Sequence, residues 1–143
     1  MKISILLPYK ENFSPLYPGA VSLFINSMNK LSNYKNKITV YGSTDLKEIF
    51  SSNYVNIELK KSFLKSQTRD YVNKFVELHN NQNTDIIEIH NRPNYIEFLN
   101  SLKTKKVLYF HNDPISMIGS KTPLERKELI RSCAKIIFNS EWS

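Results

Sequence analysis

Five short stretches of the 143-residue chain, at 3–7, 38–41, 86–89, 106–110 and 135–138, are continuously apolar or nearly so, and 55–59, V-N-I-E-L, is a weaker sixth. Prolines, charged residues or turn formers bound them. Runs of this kind predict strands buried on both faces, as in a parallel sheet. Between them the rhythm changes. Ala20, Phe24, Met28 and Leu31, with Val21 and Ile25 beside them, recur every three or four residues and predict an amphipathic helix starting just past Gly19. Tyr71, Val72, Phe75, Val76 and His79 do the same over about 66–80. Pro93 stands where a proline opens a helix carrying Tyr95, Ile96 and Leu99. Thr122 as N-cap, Pro123 at the first helical position and Glu125 in the first turn predict another. Strands alternating with helices over the whole length predict an α/β fold. The expected form is a Rossmann-like, doubly wound, mostly parallel sheet of about six strands with helices on both faces and right-handed crossovers.

Two of the predicted strands end alike. The run at 86–93 reads I-I-E-I-H-N-R-P and the run at 107–114 reads V-L-Y-F-H-N-D-P, with His90 and His111 separated by 21 residues. That spacing suits one strand, one short helix and one loop. If both runs are parallel strands of one sheet, both histidines lie at its carboxyl edge, where open α/β sheets bind ligands.

Composition changes this picture in three ways. A hydrophobic fraction of 41% over 143 residues is enough for one globular domain with a real core. The formal charge of +7 favours a polyanionic partner, whether nucleic acid, phosphates or an anionic membrane face, without choosing among them. Cys133 is the only cysteine, so the chain makes no internal disulfide, in keeping with a reducing cytoplasm. The opening M-K-I-S-I-L-L-P is too short an apolar run for a signal peptide or a membrane span. The reading is therefore a cytoplasmic protein. The chain stops at Ser143, just past the last strand, and the expectation is an N-terminal domain spanning 1–143 that lacks a C-terminal partner.

Several chemistries fail on missing residues. There is no G-x-G-x-x-G turn after the first strand and no P-loop. Clustered carboxylates do not follow the first strand, which argues against a receiver-type phosphorylation site. His79, His90, His111 and Cys133 show none of the paired spacings of zinc sites, so no metal is expected. His79 falls on the apolar side of its helix and reads as a packed residue. No G-x-S-x-G nucleophile elbow occurs. Dispersed lysines and the absence of a recognition motif make nucleic acid an unlikely partner.

What remains is the pair of strand ends and the helix start. His111 has Asn112 and Asp113 beside it and Pro114 to fix the turn; a neutral imidazole there can meet a sugar hydroxyl or a phosphate. The plainer reading is a histidine that caps a strand. His90, Asn91 and Arg92 form the second cluster, with Arg92 suited to hold an anionic group by paired hydrogen bonds. Backbone N–H groups beyond Gly19 and Ala20 suit an anion. The stretch Lys60, Lys61, Lys65 and Arg69, with Phe63 and Leu64, reads either as a solvated face or as a patch for an anionic membrane surface or acceptor.

The order of these features resembles the N-terminal domain of a GT-B glycosyltransferase, specifically the retaining family 4 group that builds lipopolysaccharide and other glycans. The resemblance rests on K-I-S-I-L-L-P, on Pro18-Gly19-Ala20-Val21, on H-N-R-P followed by H-N-D-P, and on the closing C-A-K-I-I-F-N-S-E-W, and it spans essentially the whole chain. It implies transfer of a sugar from a nucleotide-sugar donor to a glycan or lipid-linked acceptor, without metal or other cofactor. By resemblance Gly19, with Ala20 where the family commonly has a second glycine, lies near the donor diphosphate. His111 is the catalytic-cleft residue, and His90, Asn91, Arg92, Asn112 and Asp113 stand on the acceptor side. It further implies that most donor contacts belong to a C-terminal domain, so that residues 1–143 alone are inactive. The expected location is cytoplasmic, at the inner face of the membrane. Two other readings stay open: a non-catalytic glycan- or nucleotide-binding module, and a basic nucleic-acid-binding domain.

Overall fold

A computed structural model describes residues 1–51, 53–59, 66–80 and 82–139. Lys60, Lys61 and Lys65 of the basic stretch, with Phe63 and Leu64, lie outside the described residues. Six strands are described: β1 (Ile3–Leu6), β2 (Ile38–Gly42), β3 (Tyr54–Asn56), β4 (Ile86–His90), β5 (Lys105–Phe110) and β6 (Lys135–Phe138). Three α-helices join them, α1 (Ala20–Leu31), α2 (Gln67–His79) and α3 (Pro123–Ser132). All strand pairs are parallel and the order is β3-β2-β1-β4-β5-β6. That is the doubly wound, Rossmann-like order, in which the chain leaves β1 first to one side and later to the other. The loops after β1 and β4 therefore part at the carboxyl edge and leave a crevice between them.

Two local expectations shift. The third strand occupies Tyr54–Asn56 rather than 55–59. It ends early because only β2 pairs with it, and its three partners on β2 stop at Gly42. The element opened by Pro93 is a 3-10 segment, Pro93–Leu99, and not an α-helix. Arg92 ahead of it offers no side-chain cap, and Tyr95, Ile96 and Leu99 are drawn inward together, so packing onto the sheet sets its winding. The other helices follow their signals. Thr122 and Glu125 form a reciprocal capping box at the start of α3, and Ser66 caps α2 through the Arg69 N–H.

Side-chain alternation along the strands sorts the core into two layers. One face carries Leu6, Tyr41, Ile87, Ile89, Leu108 and Phe110, all buried beneath α2, the 3-10 segment and α3. The other carries Ile5, Leu7, Ile38 and Val40 beneath Val21 and Ile25 of α1. Tyr71 of α2 ties the first layer to the carboxyl ends of the strands, its hydroxyl donating to the carbonyls of Leu7 (3.0 Å) and Tyr41 (3.4 Å). His79 is buried against Phe75, and burial lowers its pKa, as expected of a packed histidine.

Candidate functional site

β4 and β5 are adjacent and parallel, with His90 opposite Tyr109. The two H-N-x-P ends therefore emerge side by side at the carboxyl edge. Because side chains alternate, Glu88 and His90 of β4 share a face with Tyr109 of β5 and with His111 just beyond it. This is the α1 face, and Phe24 of α1 sets its ring edge against His111 at 4.8 Å between centroids. The Tyr109 ring stacks on both imidazoles, 5.3 Å from His90 and 4.6 Å from His111.

Within this aromatic cluster the polar atoms form one line. Glu88 Oε1 lies 2.7 Å from His90 Nε2, His90 Nδ1 lies 2.8 Å from His111 Nε2, and His111 Nδ1 lies 3.3 Å from Asn139 Nδ2. Asn139 follows β6, whose Phe138 pairs with Phe110, so the register itself sets Asn139 beside His111. The His90 side chain is fully buried, while that of Glu88 is 27% exposed. Burial, followed by repulsion from charge on His90, pushes the His111 pKa down to about 4, with the Glu88 carboxylate pulling the other way. His111 is thus neutral at pH 7.

Asn91 and Arg92 serve this arrangement from the loop after β4. Asn91 takes a left-handed conformation (φ 52°), and its Oδ1 accepts the backbone N–H of His111 at 2.7 Å while its own N–H donates to Tyr109 O. An asparagine tolerates that conformation better than most residues. Arg92 donates through Nη1 to the Asn91 carbonyl at 2.8 Å and lines, with Asn91, Thr68 and Asn94, a cavity of about 240 Å³. Asp113 caps the turn Pro114–Ser116 by accepting the Ile115 N–H, and it is exposed, as is Asn112.

Of the residues singled out by sequence, His90, Asn91 and His111 are brought together, whereas Arg92 bonds the Asn91 carbonyl and lines the separate cavity with Thr68 and Asn94. His90 presents no free ring nitrogen to a ligand, since both are engaged within the line. Gly19 and Ala20 lie at the start of α1, on the loop after β1. There the Glu11 carboxylate already meets the helix, its Oε1 accepting the Ser22 N–H at 3.0 Å. A Cβ on Gly19 would fall 1.9 Å from that oxygen, so the glycine makes room for the acid. Arg69, the described member of the basic stretch, is exposed in the first turn of α2, with its guanidinium over the Phe98 ring at 5.8 Å.

Sequence reasoning missed Glu88, Tyr109, Asn139 and Glu11. Glu88 carried a signal, since a lone carboxylate inside I-I-E-I-H sits two residues before a histidine and so on the same face of a strand. Asn139 and Glu11 carried none, because only the tertiary structure brings them to their partners.

Among the described residues no group of three or more His, Cys, Asp or Glu side chains is placed to hold a metal ion. No described helix is long and apolar enough to cross a membrane.

The chain matches no protein-family model and no curated protein. Among solved structures, a similar one is the complex between a UDP-glucosyltransferase from Polygonum tinctorium, capable of glucosylating indoxyl, and 3,4-dichloroaniline. The TM-score is 0.48 at 9% identity, over 80% of this chain and 30% of that one. This chain therefore spans less than a third of that neighbour's length. The doubly wound fold rests on the strand order described above and not on that likeness.

Proposed function

We propose that this chain is the N-terminal, acceptor-side domain of a GT-B glycosyltransferase of the retaining family 4 kind. It would move a sugar from a nucleotide-sugar donor to a glycan or lipid-linked acceptor. The observation that carries the reading is the meeting of the two H-N-x-P strand ends, His90 against His111 at 2.8 Å, on the carboxyl edge of a doubly wound sheet. The same motifs, in the same order, carry the resemblance stated from the sequence.

In this reading His111 faces the reacting sugar or the acceptor, and Arg92, which lines the cavity beside Asn91, holds an anionic group of the acceptor. The donor diphosphate approaches the start of α1 beside Gly19. Glu11 swings aside to admit it, because two anions do not share one helix N-terminus. Charge on the departing diphosphate is met by backbone N–H groups and by cations supplied by a second domain, with no metal. The acceptor hydroxyl attacks from the side the diphosphate leaves, which retains the configuration. A cytoplasmic setting at an anionic membrane face belongs to the same proposal, with the basic stretch around Arg69 as the contact.

The test is sugar transfer by the full-length protein. His111→Ala is expected to lower turnover by about a hundredfold or more, in the range seen when a polar group at a reacting centre is removed. Full activity in that variant, measured by release of nucleoside diphosphate, would falsify the role of His111.

A further inference from the structure

The line Glu88–His90–His111–Asn139 admits one arrangement of protons when Glu88 is a carboxylate and both rings are neutral. A carboxylate only accepts, so His90 must carry its proton on Nε2 to satisfy the 2.7 Å contact. His90 Nδ1 is then bare and must accept, so His111 carries its proton on Nε2, 2.8 Å away. That leaves His111 Nδ1 bare as well, where it accepts the exposed Asn139 amide N–H at 3.3 Å, a long contact that a docking group has to displace. The reverse order would aim a bare His90 nitrogen at the carboxylate. Direction is thus set at Glu88, two side chains away from the edge.

We propose that Glu88 and His90 are positioning residues that lock His111 as a hydrogen-bond acceptor at the carboxyl edge, so that the group docking on it is a hydroxyl, such as that of a sugar, and not a phosphate. This rests on the glycosyl-transfer reading for the sugar, but the lock itself does not. A phosphate oxygen needs a donor, and the donor of His111 is spent on His90. The ring does not gain a second proton near neutral pH, since it stays neutral down to about 4. The neighbours leave the assignment intact. From α1 the contact is the Phe24 ring, from β5 the Tyr109 ring, and from β6 the Asn139 amide. Lys105 and Lys135 share the sheet face by register, toward the amino ends of their strands.

Nitrogen-15 resonances of the histidine rings test the lock in residues 1–143. At neutral pH, His111 is expected as a single tautomer, with Nε2 protonated and Nδ1 bare. Glu88→Gln is nearly isosteric and can donate as well as accept, so it should let the line run either way and mix the tautomers of His111. A His111 proton on Nδ1 in the unmodified protein overturns the proposal, as does an unchanged tautomer in a folded Glu88→Gln. If that variant does not fold, the unmodified protein decides. Sulfate, a tetrahedral anion that only accepts, should leave the Nδ1 resonance unmoved at millimolar concentration; a sulfate-dependent shift overturns the hydroxyl assignment. In the full-length protein, Glu88→Gln should lower kcat/KM by about tenfold, as loss of an outer-shell partner commonly does. Unchanged kinetics would remove the positioning role. A locked tautomer in a protein that transfers no sugar defeats the proposed function alone, whereas transfer that depends on His111 with a freely exchanging tautomer defeats the lock alone.

Discussion

His111 and Asn91 show how single side chains answer to their surroundings at this edge. A histidine whose pKa falls on folding binds its proton more readily in the unfolded chain. Between the unfolded value near 6.5 and the folded value of about 4, the unfolded state therefore holds more protons, and stability rises with pH. The contribution is complete above about 6.5 and is lost as pH falls through about 4. Ring-proton NMR of His111 should show a titration midpoint near 4, and a midpoint at the ordinary value would mean the ring is not enclosed as described. Asn91 gives a second residue-scale expectation. Its left-handed backbone and its bond to the His111 N–H are separable demands. Asn91→Gly keeps the first and loses the second, for a cost of about 1–2 kcal/mol. Asn91→Ala loses both and should cost about 1 kcal/mol more, measured by urea denaturation.

At the scale of elements, the start of α1 shows a glycine kept for space and not for its backbone freedom. Gly19 has φ −79°, which any residue adopts. What it supplies is room for the Glu11 carboxylate, which caps the helix in place of a local Ser, Thr or Asp. Gly19→Ala should push Glu11 away and cost about 1 kcal/mol, the usual worth of a cap. In a Glu11→Ala background the same substitution should be nearly neutral. A thermal-denaturation double-mutant cycle measures the difference, and equal costs in both backgrounds would show that Glu11 and Gly19 act independently. The 3-10 segment after Pro93 teaches a related lesson. Proline and apolar residues announced a helical element, but the inward pull of Tyr95, Ile96 and Leu99 set how tightly it winds.

For the whole molecule, the two layers are unequal. The layer under α2, the 3-10 segment and α3 is the larger and is mainly apolar, with the hydroxyls of Tyr71 and Tyr41, His79 and the Lys106 ammonium at its margins, whereas the α1 layer turns polar where it reaches β4 and β5. Stability should therefore be concentrated in the first layer and chemistry in the second. Leu108, fully buried in the first, should cost about 2–5 kcal/mol when replaced by alanine. Ile118, 71% exposed, should cost less than about 0.5 kcal/mol. Chemical denaturation of the two variants checks the contrast.

The sequence alone determined the fold class, because unbroken apolar runs separated by amphipathic segments leave few ways to bury both faces of a strand other than a parallel sheet covered by helices. It also marked His90 and His111 as strand ends, since a buried run that stops at H-N-x-P has nowhere to place those groups but an edge. It did not determine their relation. Strand order is a choice among topologies with similar local patterns, and only when β4 lies beside β5 does His90 reach His111. Nor was the role of His90 legible, since a strand end reads as exposed until the Tyr109 ring and its neighbours cover it. Glu88 was visible as an acid in an apolar strand, yet its control of His111 depends on two contacts, 2.7 Å within β4 and 2.8 Å across to the end of β5, and distances of that kind are set by packing.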